Sequence, residues 1–382
     1  MIFGLYTVIT VSKYMNAHFD KGEDLDYLPG SYFLTTQKIL QKQYVNDFGR
    51  PRGSMCSIES SSNYRCSYHK KNTCQESQRL LRAEDSKSRF FKACVFNCKY
   101  KNAKNDFLES RESITNFPYF ITESTYSKKI TPRKFLVVDE THNVEAELSK
   151  FIEVKVSERF CKQSLKLEWP ESTTQFQVVR WIRESYQPKA KSQLLHFEKM
   201  LQQTGLKDRL GEFTSISKQY DMLRSHVEKL DTFLTFYDKD NWVMESMPAE
   251  GRSQRKFSFR AIDISPFAQK HLFRLGKRVL MMSATILDEN TLCQSLGLSK
   301  DEIEYISLPT PFPEENRPVY FFPIGSMASK SISYTLPKLV KAVKEILNQH
   351  PDEKGIIHCH TFKIANYLKR NIRSKRLLVH DS

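Results

Sequence analysis

The stretch KFLVVDETHNVEAEL, residues 134–148, decides the fold. Four apolar residues, Phe135 to Val138, run into two acids, Asp139 and Glu140, and His142 follows. A short unbroken apolar run of this kind suits a strand covered on both faces, as in a parallel sheet. Ligands of open parallel sheets gather at the carboxyl ends of the strands. Two adjacent acids at such an end suit a phosphate-bound Mg²⁺ and a water that must lose a proton. The first, Asp139, is placed to hold the hydrated metal. The second, Glu140, is placed to orient and deprotonate the attacking water. His142 is placed to sense the terminal phosphate or to relay to a neighbouring strand. A plain polar turn at a strand end would look similar, so a second element has to decide.

That element is LMMSATI, residues 280–286, in which Ser283 and Thr285 follow another apolar run read as a buried strand. Hydroxyls there can bond the acidic motif and carry its state elsewhere. Between and around these two runs, strand-like and helix-like segments alternate, which predicts an α/β fold with a parallel sheet. Residues 5–19 predict a helix. SYFLTTQKILQKQYVNDF predicts a short strand, Tyr32–Leu34, then a turn and a helix. Residues 49–75 have little periodicity and predict a loop-rich insertion. Residues 155–245 carry helical periodicity, as in QLLHFEKMLQQTGL, and predict a mostly helical insertion. LPTPFPEENRP, residues 308–318, predicts a linker. Beyond it, YTLPKLVKAVKEILNQH predicts an amphipathic helix and KGIIHCHTFKIANYLKRNI a strand, turn and helix, so a second α/β block is expected there.

Composition bounds the partners. The 382 residues hold 59 Lys+Arg against 44 Asp+Glu, a net charge of +15, which points to a polyanion such as nucleic acid. No apolar run reaches the roughly 18 residues of a membrane span. The apolar start, MIFGLYTVITV, lacks a basic segment and a cleavage site, so an intracellular, cytoplasmic protein is expected. Of 8 cysteines, five fall between Cys56 and Cys98. That clustering, without a secretion signal, predicts metal binding and not disulfides. By spacing alone, an iron–sulfur cluster and a closed zinc site remain equal choices. Cys161, Cys293 and Cys359 are isolated and read as core residues.

VVDETHN resembles the D-E-x-H motif II of superfamily 2 helicases, and MSATI resembles their motif III. A cysteine insertion before motif II and a helical one after it are similar to the iron–sulfur helicases of the XPD/DinG type, nearest the phage and bacterial branch. SYFLTTQKILQKQY is similar to motif Ia, ITNFPYFI to the return from the cluster domain, PTPFPEENRP to the joint between motors, and KGIIHCHTFKIANYL to the start of the second motor. The resemblance implies a RecA-like motor domain from 1–50, 115–154 and 260–308. It implies a cluster insertion over 51–114, a helical arch-like insertion over 155–259, and the beginning of a second RecA-like domain over 309–382. It implies a 5′→3′ ATP-dependent DNA helicase acting in repair or replication on single-stranded or forked DNA, with Mg²⁺, ATP and a [4Fe–4S] cluster, zinc being the runner-up. Cys66, Cys74, Cys94 and Cys98, in NYRC, NTC and CVFNCKY, match the family's ligand pattern, with Cys56 a possible replacement for Cys66. Thr35, Thr36, Gln37, His360 and Thr361 match its strand-tracking motifs and would hold phosphates without reading bases. YHKK and KYKNAK place Lys and Tyr near the cluster, as a strand-separating wedge with base stacking requires.

The chain also departs from the family. No G-x-x-x-x-G-K-[ST] phosphate loop occurs in it. Gly276-Lys277 is followed by Arg278 and lies just before motif III, the wrong place. Motifs V and VI, with the arginine that reaches the terminal phosphate, are missing as well. The resemblance therefore implies a helicase shortened at both ends. The alternative is a nucleic-acid-binding remnant that has lost ATP turnover.

Overall fold

A computed structural model describes residues 26–49, 54–171, 174–207, 209–248, 254–286, 288–310 and 312–378. The helix expected over 5–19 lies outside them. The described strands are β1 (Leu28–Thr35), β2 (Cys56–Ser57), β3 (Glu112–Asn116), β4 (Arg133–Asp139), β5 (Val154–Ser157), β6 (Trp242–Met247), β7 (Lys256–Ala261) and β8 (Gly276–Met282). Five of them form a parallel sheet in the order β2-β3-β1-β4-β8. The fold is α/β, as expected. β1 is longer than Tyr32–Leu34, because pairing on both sides satisfies its backbone even where the side chains are Ser31 and Thr35.

Alternation along the strands divides the core. Tyr32, Leu34, Leu136 and Val138 face one way, into the main core. Phe33, Ile114 and Val137 face the other, against Tyr44 and Phe48 of helix α1 (Lys38–Phe48). Each of these side chains contributes roughly 1.5–3 kcal/mol by leaving water. Covering both faces explains why FLVV has no polar residue. β8 differs from the buried strand expected there: Leu280 is 38% exposed, and Lys277 and Arg278 are exposed. Among the described strands it pairs with β4 alone. Gly276 is needed for a close approach, since a Cβ there would lie 2.5 Å from the Leu136 Cβ.

The cysteine segment leaves the sheet after β2 and returns at β3. Its expected limits, 51–114, therefore take in two strands of the central sheet. It carries α2 (Cys74–Leu81), α3 (Arg89–Phe96) and α4 (Lys99–Glu109). A capping box starts α2: the Thr73 hydroxyl accepts from the Glu76 N–H at 3.3 Å, and the Glu76 carboxylate accepts from the Thr73 N–H at 2.7 Å. The Ser88 hydroxyl caps α3.

Beyond β4, helix α5 (Val144–Ile152) leads to the second insertion. Its long helices, α6 (Gln187–Gln202) and α7 (Leu210–Phe236), match the helical expectation. It is not helical throughout: β5, β7 and β6 make an antiparallel sheet. EVKVS and KFSFRA show the period of two that marks such strands, with Val154, Val156, Phe257 and Phe259 buried.

The chain divides into two compact units at Tyr305/Ile306, beside the Pro-rich linker. The second unit holds α8 (Ile332–Gln349) and α9 (Phe362–Asn371), which share a small core of Leu336, Val340, Val343, Ile364 and Leu368. The strand expected just before α9 is irregular, and Ile356 is 82% exposed. Among the described residues of this unit no strand forms. An apolar stretch becomes a strand only when a neighbour takes its backbone hydrogen bonds.

Candidate functional site

β4 ends at Asp139, and its register sets Asp139 beside Met282 of β8. Glu140 and Ser283 thus leave adjacent strands at the same level. Glu140 takes a left-handed backbone conformation, φ 55° and ψ 48°. For a residue with a Cβ this costs about 1–3 kcal/mol, and such strain collects at functional sites. The turn is fixed by the Thr141 hydroxyl, which donates to the Val138 carbonyl at 3.0 Å, and by the Glu140 N–H, which donates to Asp139 Oδ1 at 2.9 Å. Tyr44, from α1, donates its hydroxyl to Asp139 Oδ2 at 3.3 Å. Burial pushes the Asp139 carboxyl above its ordinary range. The Glu140 N–H opposes that shift and the Glu140 charge adds to it.

His142 bridges the two motifs. Its Nδ1 lies 2.8 Å from Ser283 Oγ, 3.1 Å from Thr285 Oγ1 and 3.4 Å from Glu140 Oε2. Its Nε2 lies 2.9 Å from Asn143 Nδ2. With the Asn143 amide donating to Nε2, the ring proton sits on Nδ1 and points at the hydroxyls and the Glu140 carboxylate. The Thr285 N–H donates to Ser283 Oγ at 3.1 Å, so the loop after β8 is tied to itself as well. The structure brings Asp139, Glu140, His142, Ser283 and Thr285 together. Sequence reasoning missed Tyr44 and Asn143. Nothing in the spacing of QKQYV marks Tyr44, and Asn143 was legible only as the neighbour of His142.

Cys66, Cys74, Cys94 and Cys98 line one pocket with Tyr68, Ser77, Gln78 and Phe90. Cys74 and Cys98 Sγ are 3.7 Å apart. The Cys74 contact, with the N–H groups of Lys101 and Tyr100 beside it, holds the Cys98 thiol below the usual range against burial. Burial pushes the Cys94 thiol up. The His69 N–H donates to Cys66 Sγ at 3.3 Å. Among the described residues, no three His, Cys, Asp or Glu side chains stand at ligand spacing. The four thiols line one pocket but are not closed around the position of a single metal ion. Cys56 sits on β2, its thiol 3.6 Å from the Ser54 carbonyl, and does not line this pocket. Cys161 and Cys293 are buried, and Cys359 is half-buried against the core of the second unit.

Two expected nucleic-acid contacts, Thr35 and Tyr100, need correction. Thr35 is fully buried and donates its hydroxyl to the Gln37 carbonyl at 3.2 Å, leaving Thr36 and Gln37 nearer the surface. Thr361 caps α9 by accepting from the Ile364 N–H at 3.3 Å, while His360 beside it is exposed. Tyr100, expected to stack on bases, is buried and bonds the Tyr119 hydroxyl at 3.1 Å. The exposed aromatics near the cysteines are Tyr68, 46% exposed, and Phe96, 74% exposed.

No protein-family model matches the chain, and no curated protein does. Solved structures do. One described as "XPD_Helicase" has a TM-score of 0.41 and 14% identity, over 71% of this chain and 53% of that one. One described as "Truncated XPD" has a TM-score of 0.39 and 14% identity, over 73% of this chain and 88% of that one. One described as "XPD_APO" has a TM-score of 0.33 and 12% identity, over 71% of this chain and 48% of that one. The chain thus spans about half the length of the first of these. Among the described residues no helix is long and apolar enough to cross a membrane.

Proposed function

We propose that this chain is the nucleotide-site and strand-binding part of an ATP-dependent DNA helicase carrying a [4Fe–4S] cluster. The observation that carries the reading is His142, which ties Glu140 at the end of β4 to Ser283 and Thr285 after β8. Strand-end acids alone could terminate any sheet. Acids wired through an imidazole to the hydroxyls of the next strand can report a change at one strand end to the other.

Asp139 suits Mg²⁺, because its carboxylate is half-buried beside the Glu140 charge and a cation relieves both. When bound, the metal offsets the charge that develops on the transferred phosphate. Glu140 accepts the proton of the attacking water, and its carboxylate lies 3.4 Å from His142 Nδ1. Tyr44 holds Asp139 in place through Oδ2. Cys66, Cys74, Cys94 and Cys98 would hold the cluster, four soft, charged donors being what its irons require. The cluster would fix the segment between β2 and β3, where Lys70, Lys71, Tyr68 and Phe96 lie at the surface.

A second reading, a nucleic-acid-binding protein without ATP turnover, rests on one observation: no phosphate loop occurs in the 382 residues.

Binding tests what both readings share. Single-stranded DNA should bind and weaken steeply with salt, since each neutralised phosphate releases counterion. With about five phosphates neutralised, affinity should fall about a hundredfold between about 50 and about 200 mM salt. Fluorescence anisotropy of a labelled oligonucleotide checks this. Affinity that does not change with salt would remove the DNA partner.

A further inference from the structure

The cysteine pocket contains a polar group that neither its fold nor its thiols explain. Ser77 is 3% exposed, lines the pocket, and its Oγ has no hydrogen-bond partner among the described residues. A serine inside a helix ordinarily bonds the carbonyl one turn back. Here that carbonyl, of Thr73, takes the Ser77 N–H, and the hydroxyl makes no such bond. Leaving a buried hydroxyl unsatisfied costs about 1–3 kcal/mol, so a partner inside the pocket is called for. One residue on, Gln78 Nε2 donates to Cys74 Sγ at 3.5 Å. Cys74, Ser77 and Gln78 stand at i, i+3 and i+4 of α2 and so share one face of the helix.

We propose that Ser77 and Gln78 are positioning residues that donate hydrogen bonds to the sulfurs of the cluster and raise its reduction potential. The inference rests on the cluster reading above. A donor aimed at sulfur favours the state with more negative charge, which is the reduced one, and hydrogen bonds to sulfur are among the features that set such potentials. Gln78 acts on the Cys74 thiolate. The Ser77 hydroxyl, with no acceptor among the described residues, is left to act on sulfur inside the pocket. α2 thus has two tasks: Cys74 holds the group, and the residues one turn later tune it.

The test uses the full chain purified without oxygen. Iron and acid-labile sulfide are measured first, and the midpoint is then read by dithionite titration followed by electron paramagnetic resonance. Ser77→Ala and Gln78→Met should keep wild-type iron and each move the midpoint to more negative values. A tenfold change in the equilibrium, about 59 mV for one electron, is expected for each. Ser77→Thr, which keeps the hydroxyl, should stay near wild type. Full iron with an unmoved midpoint in both variants overturns the proposal and leaves the cluster reading standing. Loss of iron from both variants overturns it in favour of a role in building the site. Wild-type protein that carries zinc and no sulfide overturns the cluster reading and this proposal with it.

Discussion

Glu140→Gln is expected to cut ATP turnover by about 10²–10⁴, the usual worth of a positioned general base. The measurement needs a version of the chain joined to a phosphate loop and to an arginine-bearing segment, assayed with single-stranded DNA. The substituted amide would keep the shape of the side chain and the contact near His142 but could not take a proton from water. The unextended chain should turn over ATP near background. Phosphoryl transfer depends almost wholly on positioning and charge stabilisation, and an arginine finger alone is worth about 10³–10⁵. Robust turnover by the unextended chain, lost on Glu140→Gln, would mean that other residues cradle the phosphates. Full turnover by the joined Glu140→Gln variant would remove Glu140 from the chemistry.

Changing any one of Cys66, Cys74, Cys94 and Cys98 to Ser should remove nearly all iron and the brown colour of protein purified without oxygen. The four line a single pocket, so each loss leaves an open corner. Serine nearly matches cysteine in volume, so the effect would report ligation and not packing. Cys56→Ser is the control and should keep its iron, because Cys56 lies on β2 and does not line the pocket. Iron retained in three or more of the four variants would contradict the ligand set, as would loss in Cys56→Ser alone.

How far the sequence could be read depended on the range of each signal. FLVV followed by two acids is local, and the parallel pairing of β4 with β8 then had little freedom. The hydroxyls after β8 were legible for the same reason, since strand ends collect on one edge of a parallel sheet. The thiols were legible as a cluster in sequence. Orientation was harder. Thr35 and Tyr100 have the right chemistry for phosphates or bases, but both are buried. Side chain against solvent is decided by which face a neighbour covers, and no short motif states that. β5 and β7 carried their alternation openly, yet they are short, and the long helices between them in sequence dominate a wide window. Tyr44 and Ser77 were silent because their roles depend on what the fold brings beside them.

Strand displacement puts the motor reading to its hardest test. The joined chain is mixed with Mg²⁺, ATP and a labelled duplex bearing a single-stranded tail on either the 5′ or the 3′ side, and release of the labelled strand is followed. Release is expected from the 5′-tailed duplex, dependent on ATP and lost on Glu140→Gln. Protein that binds single-stranded DNA and hydrolyses ATP but releases neither strand would contradict it.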